Sequence, residues 1–146
     1  MKTIRAVHYL NQFFGQIGGE DKANLPPRVV EGPVGFGTTL KDASGGRVEI
    51  VRTVICGDNY AAENTEGLAE VVLQWVSEAS PDLFIAGPAF GAGRYGIASG
   101  TLCKEVRGKL GISSVTAMHP VNPGVEIAGH EVFVVEAKDS AQDLKR

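Results

Sequence analysis

Residue types that would point directly to a function are scarce in this 146-residue sequence. Its two cysteines, Cys56 and Cys103, match no zinc-ligand spacing, which argues against a metal site and predicts free thiols in a reducing compartment. No apolar run approaches the roughly 18 residues of a membrane span, and the first residues lack the apolar core of a signal peptide. The formal net charge of -3 offers no basic surface for nucleic acid. We therefore expect a cytoplasmic protein that binds neither membrane nor nucleic acid.

The composition is typical of one folded domain. Hydrophobic residues make up 43% of the chain and charged residues 21%, which is enough to bury a substantial core. Strand-like and helix-like segments alternate, and this alternation predicts a largely parallel sheet with helices on both faces. The predicted fold is a single three-layer α/β domain over residues 1–146, with an open sheet that is flavodoxin-like or a related doubly wound type.

Hydrophobic periodicity locates the individual elements. It predicts strands at residues 4–10, 48–55, 82–86, 113–118 and 131–136. Apolar side chains at helical spacing, with a capping residue before them and a proline after them, predict a helix over residues 65–79. A short helix around residues 34–42 and a longer one from about residue 97 to 110 are also expected.

A glycine-rich turn at residues 87–96 joins a predicted strand to a predicted helix. In such a turn, free backbone N–H groups and the positive end of the helix dipole favour a bound anion. Arg94 would add a fixed charge and a planar, two-pronged donor. The spacing fits neither a phosphate-binding P-loop nor a dinucleotide-binding turn. The turn predicts a carboxylate or phosphate ligand, although glycines needed only for backbone geometry would give the same pattern.

Three other polar loops, at residues 11–20, 56–63 and 119–126, also follow predicted strands. Open α/β sheets bind their ligands at the carboxyl ends of their strands, so these loops are expected to meet the glycine-rich turn at one rim. Each loop also has a structural explanation. A buried cysteine often acts as a small apolar residue, Asp and Asn favour turns, and a histidine before proline is often an ordinary loop residue. Cys103 lies among apolar residues and is predicted to be in the core.

Five separated blocks, at residues 7–20, 31–35, 53–60, 87–96 and 122–126, together resemble the start of the selenoprotein B subunits of glycine, sarcosine and betaine reductases. The resemblance runs through almost the whole chain. It implies a component that acts with a pyruvoyl-bearing partner subunit, cleaves the C–N bond of the amino acid or betaine reductively, and passes a carboxymethyl group to a small selenoprotein. Gly91 stands where the family pattern has asparagine, which leaves the substrate open.

The resemblance also implies that the reactive selenocysteine motif lies much further along a longer chain. The sequence stops before any such motif, so the resemblance predicts the amino-terminal part of a longer protein or one half of a split protein. No cofactor would then be bound by this chain, and the pyruvoyl group and selenocysteine are expected on partner or missing segments. Such a component is expected to form an oligomer and to be inactive alone.

A small carboxylate, namely glycine, sarcosine or betaine, is the predicted ligand. The predicted catalytic residues are Cys56, Asp58 and His119. The predicted substrate-binding residues are Asn11, Gln12, Gly18, Gly19, Asn59, Gly87, Phe90, Gly93, Arg94, Tyr95 and Asn122. Two alternatives remain open: a non-catalytic scaffold that docks a partner subunit, and a small independent enzyme that uses Cys56 as its nucleophile with His119.

Overall fold

The computed structural model describes residues 3–137 and arranges them around one six-stranded sheet. The strands are β1 (Ile4–Asn11), β2 (Arg28–Glu31), β3 (Val48–Cys56), β4 (Leu83–Phe90), β5 (Ser113–Met118) and β6 (Phe133–Glu136). The α-helices are α1 (Phe36–Ala43), α2 (Asp58–Glu63), α3 (Thr65–Ala79), α4 (Gly93–Leu110) and α5 (Gly124–Ala128), and a single 3-10 turn covers Glu20–Lys22. None of the described helices is both long and apolar enough to cross a bilayer.

Strand β1 lies inside the sheet, and the strand order is β2-β3-β1-β4-β5-β6. All neighbouring pairs are parallel except β2 with β3, which is antiparallel and lies at one edge. Taken alone, the five parallel strands have the order of a flavodoxin-like sheet. The chain direction across the sheet reverses between β1 and β4, and this point is where such sheets bind their ligands. The predicted largely parallel α/β sheet is therefore confirmed.

The helices occupy both faces of the sheet but unequally. Helices α2, α3, α4 and α5 pack together on one face and enclose the main apolar core, while α1 packs on the other face against β3. In α3, Leu68, Val72 and Val76 recur every four residues and are all buried. Burial of each such side chain contributes about 1.5–3 kcal/mol, which explains why hydrophobic periodicity predicted this helix with its observed bounds.

The structure differs from the predictions mainly in short elements. Strand β2 was not predicted, and α2 and α5 lie in segments predicted to be loops. Each of these elements has six residues or fewer, so tertiary contacts rather than periodicity determine its conformation. Strand β4 continues to Phe90, and α4 begins at Gly93 rather than near residue 97. The glycine-rich turn is consequently shorter than predicted.

Candidate functional site

The ends of β1 and β3 are joined by polar side chains at the rim of the sheet. The side-chain amide of Asn11 donates to Oδ2 of Asp58 at 3.0 Å, and Oε1 of Gln12 accepts from the backbone N–H of Asp58 at 2.9 Å. All three residues are buried. The two amide side chains therefore fix the position of the Asp58 carboxylate at the first residue of α2.

One oxygen of that carboxylate has no partner within residues 3–137. Oδ1 of Asp58 is buried and makes no hydrogen bond. Burial raises the pKa of Asp58, while the hydrogen bond from Asn11 and the positive charge of Arg94 oppose the rise. A buried acceptor without a donor is costly, so this oxygen is the most evident unsatisfied group at the rim.

Arg94, at the start of α4, reaches across to the loop that follows β1. Its guanidinium Nη2 lies 2.8 Å and 3.1 Å from the two carboxylate oxygens of Glu20. Both side chains remain accessible, with 42% of the Arg94 side chain and 73% of the Glu20 side chain exposed. No side chain of the described residues caps the start of α4. The rim thus carries an accessible ion pair beside an uncapped helix end.

Asn122 holds the turn after β4 against the turn after β5. Its buried side-chain amide donates to the carbonyls of Phe90 and Ala92, both at 3.0 Å, and its Oδ1 accepts from the N–H of Gly124. A side chain at Gly96 would overlap Asn122. Every polar atom of this amide is used internally, so Asn122 supports the rim rather than facing a ligand.

An aromatic cluster underlies the same rim. Phe14 contacts Tyr95 with ring centroids 5.9 Å apart, and it also packs against Phe36, Phe90 and Phe13. Tyr95 is fully buried, and its hydroxyl donates to the carbonyl oxygen of Tyr9 at 3.3 Å. Phe90 is half-buried, whereas Phe13 is 61% exposed. The predicted site residues Tyr95 and Phe90 therefore contribute packing at this rim.

Both cysteines are buried, and their environments disfavour the thiolate. Burial, with a smaller effect from the charge of Asp58, raises the pKa of Cys56 to about 12. The Cys56 thiol donates to the carbonyls of Leu25 and Gly57 at 3.6 Å. Burial also raises the pKa of Cys103, which is in the core as predicted. A nucleophilic thiol needs the opposite shift, so the geometry offers no activated cysteine within residues 3–137.

His119 is not brought together with Cys56. Cys56 ends β3 and His119 follows β5, so β1 and β4 lie between them and their strands are about 14 Å apart. The ring Nδ1 of His119 accepts from the backbone N–H of Val121 at 3.1 Å. The two residues therefore do not form a nucleophile–base pair in this arrangement.

The remaining predicted site residues have mixed positions. Gly93 has open space around it at the start of α4, whereas the carbonyl of Gly87 accepts a hydrogen bond from His8 on the face that carries α1. The N–H groups of Gly18 and Gly19 are bonded within their own loop, and the side chain of Asn59 is bonded to Asn24. Of this group, only Gly93 lies open beside Arg94.

Glu20 and the rings of Phe14 and Phe36 contribute to the rim but were not predicted as site residues. Glu20 lay within a predicted polar loop, and its charge, opposite to that of Arg94, was the only signal for their pairing. The aromatic cluster combines Phe14, Phe36 and Phe90, which are far apart in sequence. No sequence pattern indicated that these rings would meet.

Comparison with known proteins finds similarity to subunits of reductase complexes. It is 53% identical over 145 residues to the glycine reductase complex component B subunit gamma of Carboxydothermus hydrogenoformans, and 48% identical over 145 residues to the sarcosine reductase complex component B subunit beta of Peptoclostridium acidaminophilum. These matches cover 99% of this chain and 33% of each relative. The betaine reductase complex component B subunit beta of Peptoclostridium acidaminophilum is 39% identical over 142 residues, which is 97% of this chain and 32% of that protein.

The chain thus spans about a third of the length of these relatives. No solved structure matches it. Residues 3–146 match the family described as glycine/sarcosine/betaine reductase selenoprotein B. This match covers nearly every residue and confirms the resemblance predicted from the sequence. The chain therefore belongs to the glycine/sarcosine/betaine reductase selenoprotein B family.

Proposed function

We propose that this chain supplies the substrate-binding part of component B of a glycine, sarcosine or betaine reductase. The relatives are named for these three compounds. Each compound carries a carboxylate and a cationic nitrogen a short distance apart. A site for such zwitterions needs a fixed cation and a fixed anion at matching separation, together with a boundary that limits access of water.

The observation that carries the proposal is the group of charges at the rim. Arg94 and Glu20 form an accessible ion pair. One oxygen of Asp58 is buried and has no hydrogen-bond partner within residues 3–137. Asp58 lies close enough to Arg94 for the positive charge of Arg94 to oppose the rise in the pKa of Asp58. An exposed ion pair contributes only about 0–1 kcal/mol, so a zwitterion can replace it at little cost. In the proposed complex, the substrate carboxylate binds Arg94 and the N–H groups at the start of α4, and the cationic nitrogen binds Glu20 or Asp58.

The role of these residues is to bind and orient. Reductive cleavage of a C–N bond is easier when the leaving nitrogen is positive, and a carboxylate beside it favours the charged form. Both described cysteines are buried with raised pKa values, so within the proposal the redox groups come from elsewhere. The pyruvoyl group and the selenocysteine expected for the family would supply that chemistry from a partner or from the rest of the family's polypeptide.

The proposal is tested by titrating the chain with glycine, sarcosine and betaine and following backbone amide shifts by NMR. Arg94→Gln is expected to weaken binding about tenfold or more, because a charge-assisted hydrogen bond contributes about 1.5–3 kcal/mol. Lys109→Gln is the matched control, since it breaks the exposed ion pair with Glu105 at the other end of the same helix. Saturable binding of none of the three compounds, or equal affinity in both variants, would contradict the proposal.

Asp58→Asn separates the two halves of the predicted site. The variant is expected to weaken glycine binding, because the cationic nitrogen loses its buried partner. Acetate carries the carboxylate but lacks the nitrogen, so we expect it to bind more weakly than glycine. Asp58→Asn is expected to change the affinity for acetate little. Equal losses for glycine and acetate would indicate that Asp58 acts only through the fold.

A second function is favoured by the internal bonding of the rim. Asn11, Gln12 and Asn122 are bonded to the protein itself, and Arg94 is already paired. These contacts would equally suit a non-catalytic domain whose rim is held rigid for assembly with a partner subunit. Such a scaffold predicts no saturable binding of the three compounds, so the same titration separates the two functions.

A further inference from the structure

One face of the sheet is only partly covered. Helix α1 packs over β3 on this face, but no described helix covers the same face of β4, β5 and β6. The side chains of Ile85 and Val115 are half-buried there, Phe133 is 76% exposed and Val135 is 47% exposed. We call this surface, formed by Ile85, Val115, Ala117, Phe133 and Val135, the open face.

Strand register places three residues of the open face in one row with His8. His8 is paired with Ile85, Ile85 with Val115, and Val115 with Phe133. Paired residues of parallel strands point to the same side of a sheet. Exposure rises along the row from the buried His8 to Phe133, with increasing distance from α1.

The next row points to the opposite face and behaves differently. Each of its residues directly follows a residue of the first row in the chain: Tyr9 follows His8, Ala86 follows Ile85 and Thr116 follows Val115. All three are fully or almost fully buried under the helical layer. Strands β4 and β5 are therefore covered on one face and more exposed on the other. Parallel sheets in stable proteins are normally covered on both faces, but residues 3–137 supply no covering layer for the open face.

A groove of about 370 Å³ runs between α1 and the exposed strands. The lining residues carry no formal charge, since burial lowers the pKa of His8 well below neutrality. The larger apolar lining residues are Phe36, Leu40, Ile85, Pro88 and Val115. A surface of this composition matches apolar side chains of a protein better than a charged small molecule.

The relatives provide the missing material. This chain corresponds to about a third of their length, so about two thirds of the family's polypeptide lies outside it. We propose that this remaining polypeptide packs on the open face and inserts apolar side chains into the groove beside α1. The contact is the same whether that polypeptide is joined to this domain or is a separate chain.

Co-expression tests the proposal. This chain, carrying an affinity tag, is produced together with the two thirds of the Carboxydothermus hydrogenoformans subunit gamma that this chain does not match. The untagged segment is expected to co-purify. Phe133→Lys combined with Val135→Lys is expected to lower recovery of the segment about tenfold or more, because it places two charges within an apolar interface. Both positions are exposed, so the fold is expected to be kept.

Ile97→Lys is the matched control. Ile97 is an apolar residue of the opposite layer with 40% exposure, and its substitution is expected to leave recovery unchanged. Hydrogen–deuterium exchange adds an independent measurement, with protection expected in β5 and β6. Three results would each overturn the proposal. The first is an equal loss of recovery with both variants, and the second is protection confined to α2–α4. The third is a homodimer of this chain that the Phe133 and Val135 substitutions dissociate, while no complex with the segment forms.

Discussion

Acidification is expected to destabilise this protein through one buried histidine, His8. Its Nε2–H donates to the carbonyl of Gly87 at 2.7 Å, and its Nδ1 is buried without a hydrogen-bond partner within residues 3–137. Burial lowers the pKa of His8 from 6.5 to about 4, against a smaller opposing effect of the bond to Gly87. Between these two pH values the unfolded chain binds a proton that the folded protein does not.

The sign and size of the effect follow from this difference. The stability linked to neutral His8 is fully present above the unfolded pKa of 6.5 and is lost as the pH falls towards 4. The expected decrease in the free energy of unfolding from this residue is about 2 kcal/mol between about pH 7 and pH 5, and about 3 kcal/mol by about pH 4.

Urea unfolding at several pH values measures this decrease. His8→Gln keeps a side-chain donor near Gly87 but does not titrate, so its unfolding free energy is expected to depend less on pH by the amount given above. His130→Gln, which alters an exposed histidine, is expected to keep the pH dependence of the unaltered chain. Carboxylates such as Asp58 titrate in both variants, and their contribution cancels in the comparison. Equal pH dependence in both variants would refute the assignment to His8.

Two further predictions concern buried groups. Neither Cys56 nor Cys103 is expected to react with iodoacetamide in the folded protein near pH 8, whereas both should react in urea. Mass spectrometry measures the labelling. Rapid labelling of Cys56 in the folded protein would contradict its raised pKa. Gly96→Ala is expected to lower the free energy of unfolding by about 2–4 kcal/mol, because its methyl group would overlap Asn122 and disturb three hydrogen bonds. A methyl group at Gly108, in the same helix, would meet open space, so Gly108→Ala should raise the free energy of unfolding by about 1 kcal/mol. Equal changes in the free energy of unfolding for Gly96→Ala and Gly108→Ala in chemical denaturation would refute the packing account.

The longer elements were predictable because their signals are local. The bounds of α3 agree with its spacing of Leu68, Val72 and Val76, and the parallel strands follow from apolar runs between helices. Strand β2 and helices α2 and α5 were missed because each is stabilised by neighbours rather than by its own periodicity. Asp58 was a candidate by its residue type, but its burial and its unpaired oxygen depend on how β1 and β3 are placed.

By itself, the sequence determined the order of the major elements and, through five separated blocks, the family to which the chain belongs. These properties depend on residues close together in the chain or on their identity alone. Only the tertiary structure decided which strand ends are neighbours and which polar groups are already bonded. The contacts that matter join Asn11 to Asp58 across 47 positions and Glu20 to Arg94 across 74. The open face exists only because strands β4, β5 and β6 align in register. Such contacts depend on strand order, which no local pattern encodes.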